Sequence, residues 1–201
     1  MTEEQTHYEP EPVEDDSKSV GSFMWELTKI IIVAAMIIFP VRYMIAQPFS
    51  VKGASMSDTY ADRDYLIIDQ ISNRFQDLER GDVVVFRFPR NPQEFYIKRI
   101  VGLPGETVKI DDGTVSICND EHPDCEVLDE SQYLSDHERT PGSREIEAGE
   151  NAFVVLGDNR NASSDSRSWG ELPREYVIGT VLLRAWPFNN FDLFNKPTYS
   201  I

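Results

Sequence analysis

The sequence predicts a mainly β protein, an antiparallel sandwich or barrel-like catalytic domain behind a single N-terminal transmembrane helix. Three observations carry this reading. One apolar stretch, Phe23 to Ala46, stands apart from an otherwise polar chain. From Gln47 onward, short runs of β-branched and aromatic residues are separated by turn residues. Few of those later segments have helical periodicity, and no internal repeat is present. A length of 201 residues allows one ordinary domain plus accessories.

Residues 1–20 come first. They hold seven acids (Glu3, Glu4, Glu9, Glu11, Glu14, Asp15 and Asp16) and one base, Lys18, so −6 of the chain's −16 sits there. Few apolar residues and no periodicity make this segment a disordered, solvated tail. The whole chain has 35 Asp+Glu against 19 Lys+Arg. Nucleic acid is therefore excluded as the expected partner, because phosphate neutralisation needs a basic face.

Residues 21–46 are the anchor. The uncharged core, Ile30 to Val41, is 12 residues long, short of the roughly 20 that a bilayer needs. Phe23, Met24, Trp25 and Leu27 lengthen it on one side and Tyr43 to Ala46 on the other. Lys29 and Arg42 can snorkel toward opposite interfaces, and Glu26 can pair with Lys29. Trp25 and Tyr43 suit interfacial belts, and Pro40 kinks the helix end. A cleaved signal peptide is disfavoured by the acidic start and by Met44 two residues before Ala46. A buried soluble helix would carry polar positions at helical spacing, and 30–39 has none. Positive charges hardly decide orientation, since Lys18 and Lys29 face Arg42 and Lys52.

Residues 47–201 form the β-rich domain. The expected strands are 64–69, 82–88, 95–101, 107–110, 114–118, 152–156 and 177–186, with one more leading into Ser55. Turns fall at RGD (80–82), LPGE (103–106) and DDGT (111–114). This RGD reads as a turn, not an adhesion ligand. Residues 119–150 are polar and strand-poor, and are expected to form an inserted flap or long loop. Cys118 and Cys125 lie seven apart. A disulfide closing a small loop suits an extracytoplasmic domain, with two free thiols as the alternative. A metal site would need more ligands than the nearby His122 supplies, so neither metal nor cofactor is expected. His7, His122 and His137 sit on no motif, which leaves a Ser-His-Asp triad hard to build.

Two segments carry chemistry. GASMSDTY (53–60) offers Ser55 in a small-residue turn, and FYIKRIVGLPGE (95–106) places Lys98 inside an apolar strand. A serine hydroxyl needs a base. A lysine can serve as that base when desolvation disfavours its ammonium. Read singly, Ser55 is an ordinary turn serine and Lys98 a solvent-facing strand lysine.

QPFSVKGASMSDTY, RGDVVVFRFP, YIKRIVGLPGETV and LGDNRNASSDSRSWG together, in this order over most of 47–181, resemble type I signal peptidase, the membrane-bound Ser/Lys leader peptidase of bacteria. The resemblance implies Ser55 as nucleophile and Lys98 as general base. It implies Ser163 as the residue orienting the lysine, and Asp165 with Arg167 as a pair holding the active-site loops. Asp158, Asn159 and Arg160 resemble scaffold residues of a tight loop, with Met56 packed beside the nucleophile. Two positions depart from the family pattern. Gly53 stands where many members have an oxyanion-binding serine, so Gly53→Ser is expected to leave activity unchanged or to raise it. Asp58 stands where proline is usual.

The implied reaction is amide hydrolysis through an acyl-enzyme. The implied partners are preprotein signal peptides and the lipid bilayer, with the secretion translocon as a further candidate. The N-terminus would be cytoplasmic and the catalytic domain extracytoplasmic on the cell membrane. Phe49, Val51 and Gly53 alternate into Ser55, and Tyr96 and Ile97 precede Lys98. An extended peptide can add to these backbones as a strand, with Phe49, Val51, Tyr96 and Ile97 forming shallow pockets for Ala-x-Ala. Phe49, Trp186, Phe188, Phe191 and Phe194 are either interfacial anchors or core. A self-cleaving Ser/Lys repressor protease would need a DNA-binding region and basic charge. An inactive membrane-anchored adaptor would not need Ser55 or Lys98.

Overall fold

The computed structural model describes residues 16–40, 46–71, 76–135 and 139–199. The chain separates into two units, the first ending at Val41 and the second beginning at Arg42. The tail expectation lies outside the described residues as far as Asp15, as do Arg42, Tyr43, His7 and His137.

The first unit is described as one helix, α1 (Asp16–Pro40). It includes the last residues of the expected tail, where nothing in DSKSV breaks a helix. Its described part runs to Pro40, where this block of described residues stops. Val20–Phe39 is long and apolar enough to cross a membrane, with mean hydropathy 1.9 and none of it buried. Lys29 pairs with Glu26 at 2.6 Å.

The second unit is antiparallel throughout its described strands. These are β1 (Ala46–Ser50), β2 (Tyr65–Asp69), β3 (Val83–Phe88), β4 (Asn91–Gly102), β5 (Thr107–Asp111), β6 (Thr114–Cys118), β7 (Glu126–Val127), β8 (Arg144–Glu147), β9 (Ala152–Leu156), β10 (Leu172–Pro173), β11 (Val177–Trp186) and β12 (Asp192–Leu193). The larger sheet runs β1-β2-β11-β3-β4-β9-β10, with β12 added beside β11. The smaller runs β7-β6-β5-β8. A short helix, α2 (Ser166–Trp169), follows β9.

Alternation along the strands assigns the cores. In β3, Val83 and Val85 join one cluster with Val51, Met56, Leu66 and Ile68. Val84 and Phe86 face the other way, onto Ile100, Phe153 and Val155. Such a strand, buried on both faces, reads as a continuous apolar run. A third cluster joins the two sheets: Val101, Val154 and Leu156 pack with Val108, Ile110, Val115 and Ile117.

The stretch 119–150 does hold two short strands, β7 and β8, which are the outer strands of the smaller sheet. Their sequences, EV and REIE, carry edge-strand charges and almost no apolar alternation. Cys118 and Cys125 form a disulfide, with Cα atoms 4.1 Å apart.

Candidate active site

The turn after β1 is set by backbone bonds. Val51 N–H donates to Asp64 O at 2.9 Å, and Arg63 N–H to Val51 O at 2.9 Å. Gly53 has φ +92°, and its N–H donates to Asp62 Oδ1 at 2.8 Å. Ser57 N–H closes onto Ala54 O at 3.1 Å. This turn presents Ser55 while Met56 is wholly buried beneath it. The backbone N–H of Asp158 approaches Met56 Sδ at 3.4 Å.

Lys98 sits in β4 opposite Val84. Its Nζ donates to Ser55 Oγ at 2.7 Å and to Ile97 O at 2.8 Å. It also lies 5.4 Å from the centre of the Tyr96 ring. Lys98 is 3% exposed. Burial lowers its pKa to about 8, against the opposing pull of Asp165 and Asp158. A serine hydroxyl therefore touches an amine that gives up its proton near neutrality, as an activated nucleophile requires.

The loop after β9 holds this pair. Asn159 N–H donates to Ser55 O at 3.1 Å. Asp158 binds Arg99 through two bonds, of 2.9 and 2.6 Å, and accepts from Thr59 Oγ1 at 2.5 Å. Asp165 binds Arg167 through bonds of 2.8 and 2.7 Å, and accepts from Gly157 N–H at 3.1 Å. Asp165 is buried, which raises its pKa, but the Arg167 hydrogen bond and charge win and hold it below the usual carboxylate range. Ser163 Oγ is buried beside Asp165, whose pKa it helps to lower. The expected contact with Lys98 is not among that lysine's hydrogen bonds, which go to Ser55 and Ile97. The Ser163 hydroxyl instead lies against Gly157, where a Cβ would fall 2.1 Å from it.

The expectation for Gly53→Ser meets an obstacle in the backbone, although a Cβ there would meet no atom within 4 Å. A φ of +92° is a conformation that L side chains rarely adopt.

A groove of about 810 Å³ runs past the pair, lined by Phe49, Val51, Gly53, Ser55, Tyr96, Ile97 and Lys98 among others. Phe49 meets Phe95 edge-on at 5.9 Å. Along this groove β4 pairs with β3, whereas β9 pairs with β4 only from Arg99 onward. Among the described strands, the other edge of residues 93–98 is unpaired.

Sequence reasoning missed the wider frame. Arg99, 1% exposed, stacks 4.1 Å from the Tyr133 ring. Its one signal was a second charge inside an apolar strand. Glu130 pairs with Arg160, which also donates to Gly157 O at 3.2 Å. Nothing in the polar stretch around Glu130 or Tyr133 marks those positions.

A family profile described as "Signal peptidase, peptidase S26" matches residues 24–186. The chain belongs to the signal peptidase family, peptidase S26. It is similar to "Probable signal peptidase I-2" of Synechocystis sp., with 35% identity over 81% of this chain and 73% of the relative. It is 34% identical to "Signal peptidase I" of Leptolyngbya laminosa, covering 94% of this chain and 93% of that one. "Signal peptidase IB" of Staphylococcus aureus is 32% identical over 83% of this chain and 92% of its own. This signal peptidase is thus a serine-type hydrolase, and its apolar α1 makes it membrane-anchored.

Proposed function

We propose that this signal peptidase removes N-terminal signal peptides with a Ser55/Lys98 dyad, cutting after Ala-x-Ala at the outer face of the cell membrane. The observation that carries this is the 2.7 Å bond between a buried Lys98 amine and Ser55 Oγ. Neutral Lys98 takes the hydroxyl proton as Ser55 Oγ attacks the scissile carbonyl. The tetrahedral oxyanion is met by the Ser55 N–H. Lys98 then returns the proton to the leaving amine, and an acyl-enzyme remains. Water, deprotonated by the same amine, releases the signal peptide's new C-terminus. Asp158, Asp165 and their arginines hold the loop that carries Asn159 and Ser163 against the dyad.

The unpaired edge of residues 93–98 supports strand addition by the substrate. Phe49, Val51 and Ile97 pack against one core face, and give the groove an apolar wall for the first and third residues before the cut. Trp186, Phe188 and Phe191 are exposed and suit the membrane interface. Phe194 and Phe49 instead pack on the core.

The test uses purified full-length protein in lipid vesicles and a preprotein with an Ala-x-Ala site. Ser55→Ala and Lys98→Ala should each abolish cleavage with folding intact. Turnover within tenfold of wild type in either variant refutes the dyad.

A further inference from the structure

The substrate groove has two unlike walls, and pleat geometry decides which substrate residues meet each. Side chains of a strand alternate between faces. Lys98, Tyr96 and Glu94 therefore share one face of β4, and Ile97 and Phe95 the other. Ile97 and Phe49 belong to the apolar face, and Phe49 touches Phe95 there. All of these residues line the groove.

A peptide strand added along residues 93–98 obeys the same alternation. Its first and third residues before the cut point to the apolar wall. Its second and fourth point to the wall formed by Tyr96 and Glu94. Beyond Lys98 the edge is taken by β9 at Arg99, so the peptide runs from the dyad back toward Glu94. Glu94 lies four residues from Lys98, about 13 Å along the strand. That distance brings it level with the fourth residue before the cut.

Glu94 is built to face that position. Asn91 Nδ2 donates to its Oε1 at 2.8 Å, and Tyr96 OH donates to its Oε2 at 3.3 Å. Each oxygen keeps a lone pair, since a carboxylate has about four acceptor sites. Among the described residues lining the groove, Lys52 is the one cation besides Lys98, and Arg87 lies 5.2 Å from the Phe95 ring on the opposite face from Glu94. Lys52 stands three residues before Ser55 in sequence, whereas Phe49 marks the Glu94 end through its contact with Phe95.

We propose that Glu94 forms a charge-selective subsite for the fourth residue before the cut, favouring Lys or Arg and rejecting Asp or Glu. This rests on the substrate lying along β4 as proposed above. An exposed ion pair gives a preference of about two- to fivefold, and the corresponding repulsion a similar penalty. The span between Lys and Glu at that residue is then roughly four- to twenty-five-fold in kcat/KM.

The experiment measures kcat/KM for Ala-x-Ala peptides carrying Lys, Ala or Glu at the fourth residue, with wild type and Glu94→Gln in lipid vesicles. The expected order for wild type is Lys, Ala, Glu, and the Lys-to-Glu ratio collapses toward one in Glu94→Gln. Moving the exchange to the fifth residue, which faces the apolar wall, should give a ratio that Glu94→Gln leaves within twofold. A wild-type ratio near one, or a ratio unchanged by Glu94→Gln, overturns the subsite while the dyad stands. Failure of wild type to cleave even the Ala peptide overturns the dyad reading, and this proposal with it.

Discussion

Replacing Lys98 by methionine should make this signal peptidase inactive and, at neutral pH, more stable. Burial lowers the Lys98 pKa from 10.5 to about 8. At 1.36 kcal/mol per pKa unit, holding the proton in the folded state costs about 3 kcal/mol. Loss of the bonds to Ser55 and Ile97 returns roughly 1 kcal/mol each. Lys98→Met should therefore gain about 1 kcal/mol at pH 7, or roughly 2–4 °C in Tm at this size. The sign of the pH dependence follows from proton counting. Below about 8 both the folded and unfolded chains hold the proton, and the cost is fully present. Between about 8 and 10.5 the unfolded chain holds more protons, so wild-type stability rises with pH relative to the variant. The assay is thermal unfolding of both proteins in the same detergent from pH 7 to 10. A stability difference that stays flat across that window, or a variant less stable at pH 7, refutes the buried-ammonium argument. The same shift predicts that wild-type kcat/KM climbs about tenfold per pH unit below about 8 and levels above it.

Lys98→Arg should be folded but inactive, since a guanidinium stays protonated in proteins; single-turnover cleavage reads this directly. Gly157→Ala should lose at least about tenfold in kcat and roughly 1–3 kcal/mol of stability. Its Cβ would lie 2.1 Å from Ser163 Oγ and 2.5 Å from Ser55 O, so wild-type kinetics would sink the claim that this loop sets the nucleophile. Gly53→Ser should slow cleavage several-fold and cost about 1 kcal/mol in denaturant unfolding, because of its positive φ. A faster enzyme would restore the oxyanion role that the sequence suggested for position 53.

The long central strands were legible because both of their faces are buried. DVVVFRF and AFVVL are continuous apolar runs, and β3 and β9 appear within a residue of where those runs lie. Boundaries slipped where a breaker was tolerated. β4 begins at Asn91, ahead of Pro92, because the hairpin register pairs Asn91 with Phe88 and proline is allowed near a strand's start. β7, β8, β10 and β12 were not legible. Each has two to four residues, too few to display a period, and edge strands carry charge for reasons unrelated to the core.

The site divides along the same physical line. Ser55 and Lys98 were singled out by the four motifs in order and the resemblance they carry, since read singly they are an ordinary turn serine and a strand lysine. The groups that hold them were hidden because their meaning is tertiary. Arg99 adjoins Lys98 in sequence but points to the opposite face of β4. There it binds Asp158 and stacks on Tyr133, 34 residues away in a stretch with no pattern of its own. That opposition gives the site its electrostatics. Arg99 sits against Asp158 and Arg167 against Asp165, with bonds of 2.6 and 2.7 Å. Asp158 and Asp165, which both pull the lysine pKa up, are each paired with an arginine of their own. Burial then prevails at Lys98. Removing Arg167 while keeping Asp165 should raise the lysine pKa, so this arginine acts on Lys98 without touching it.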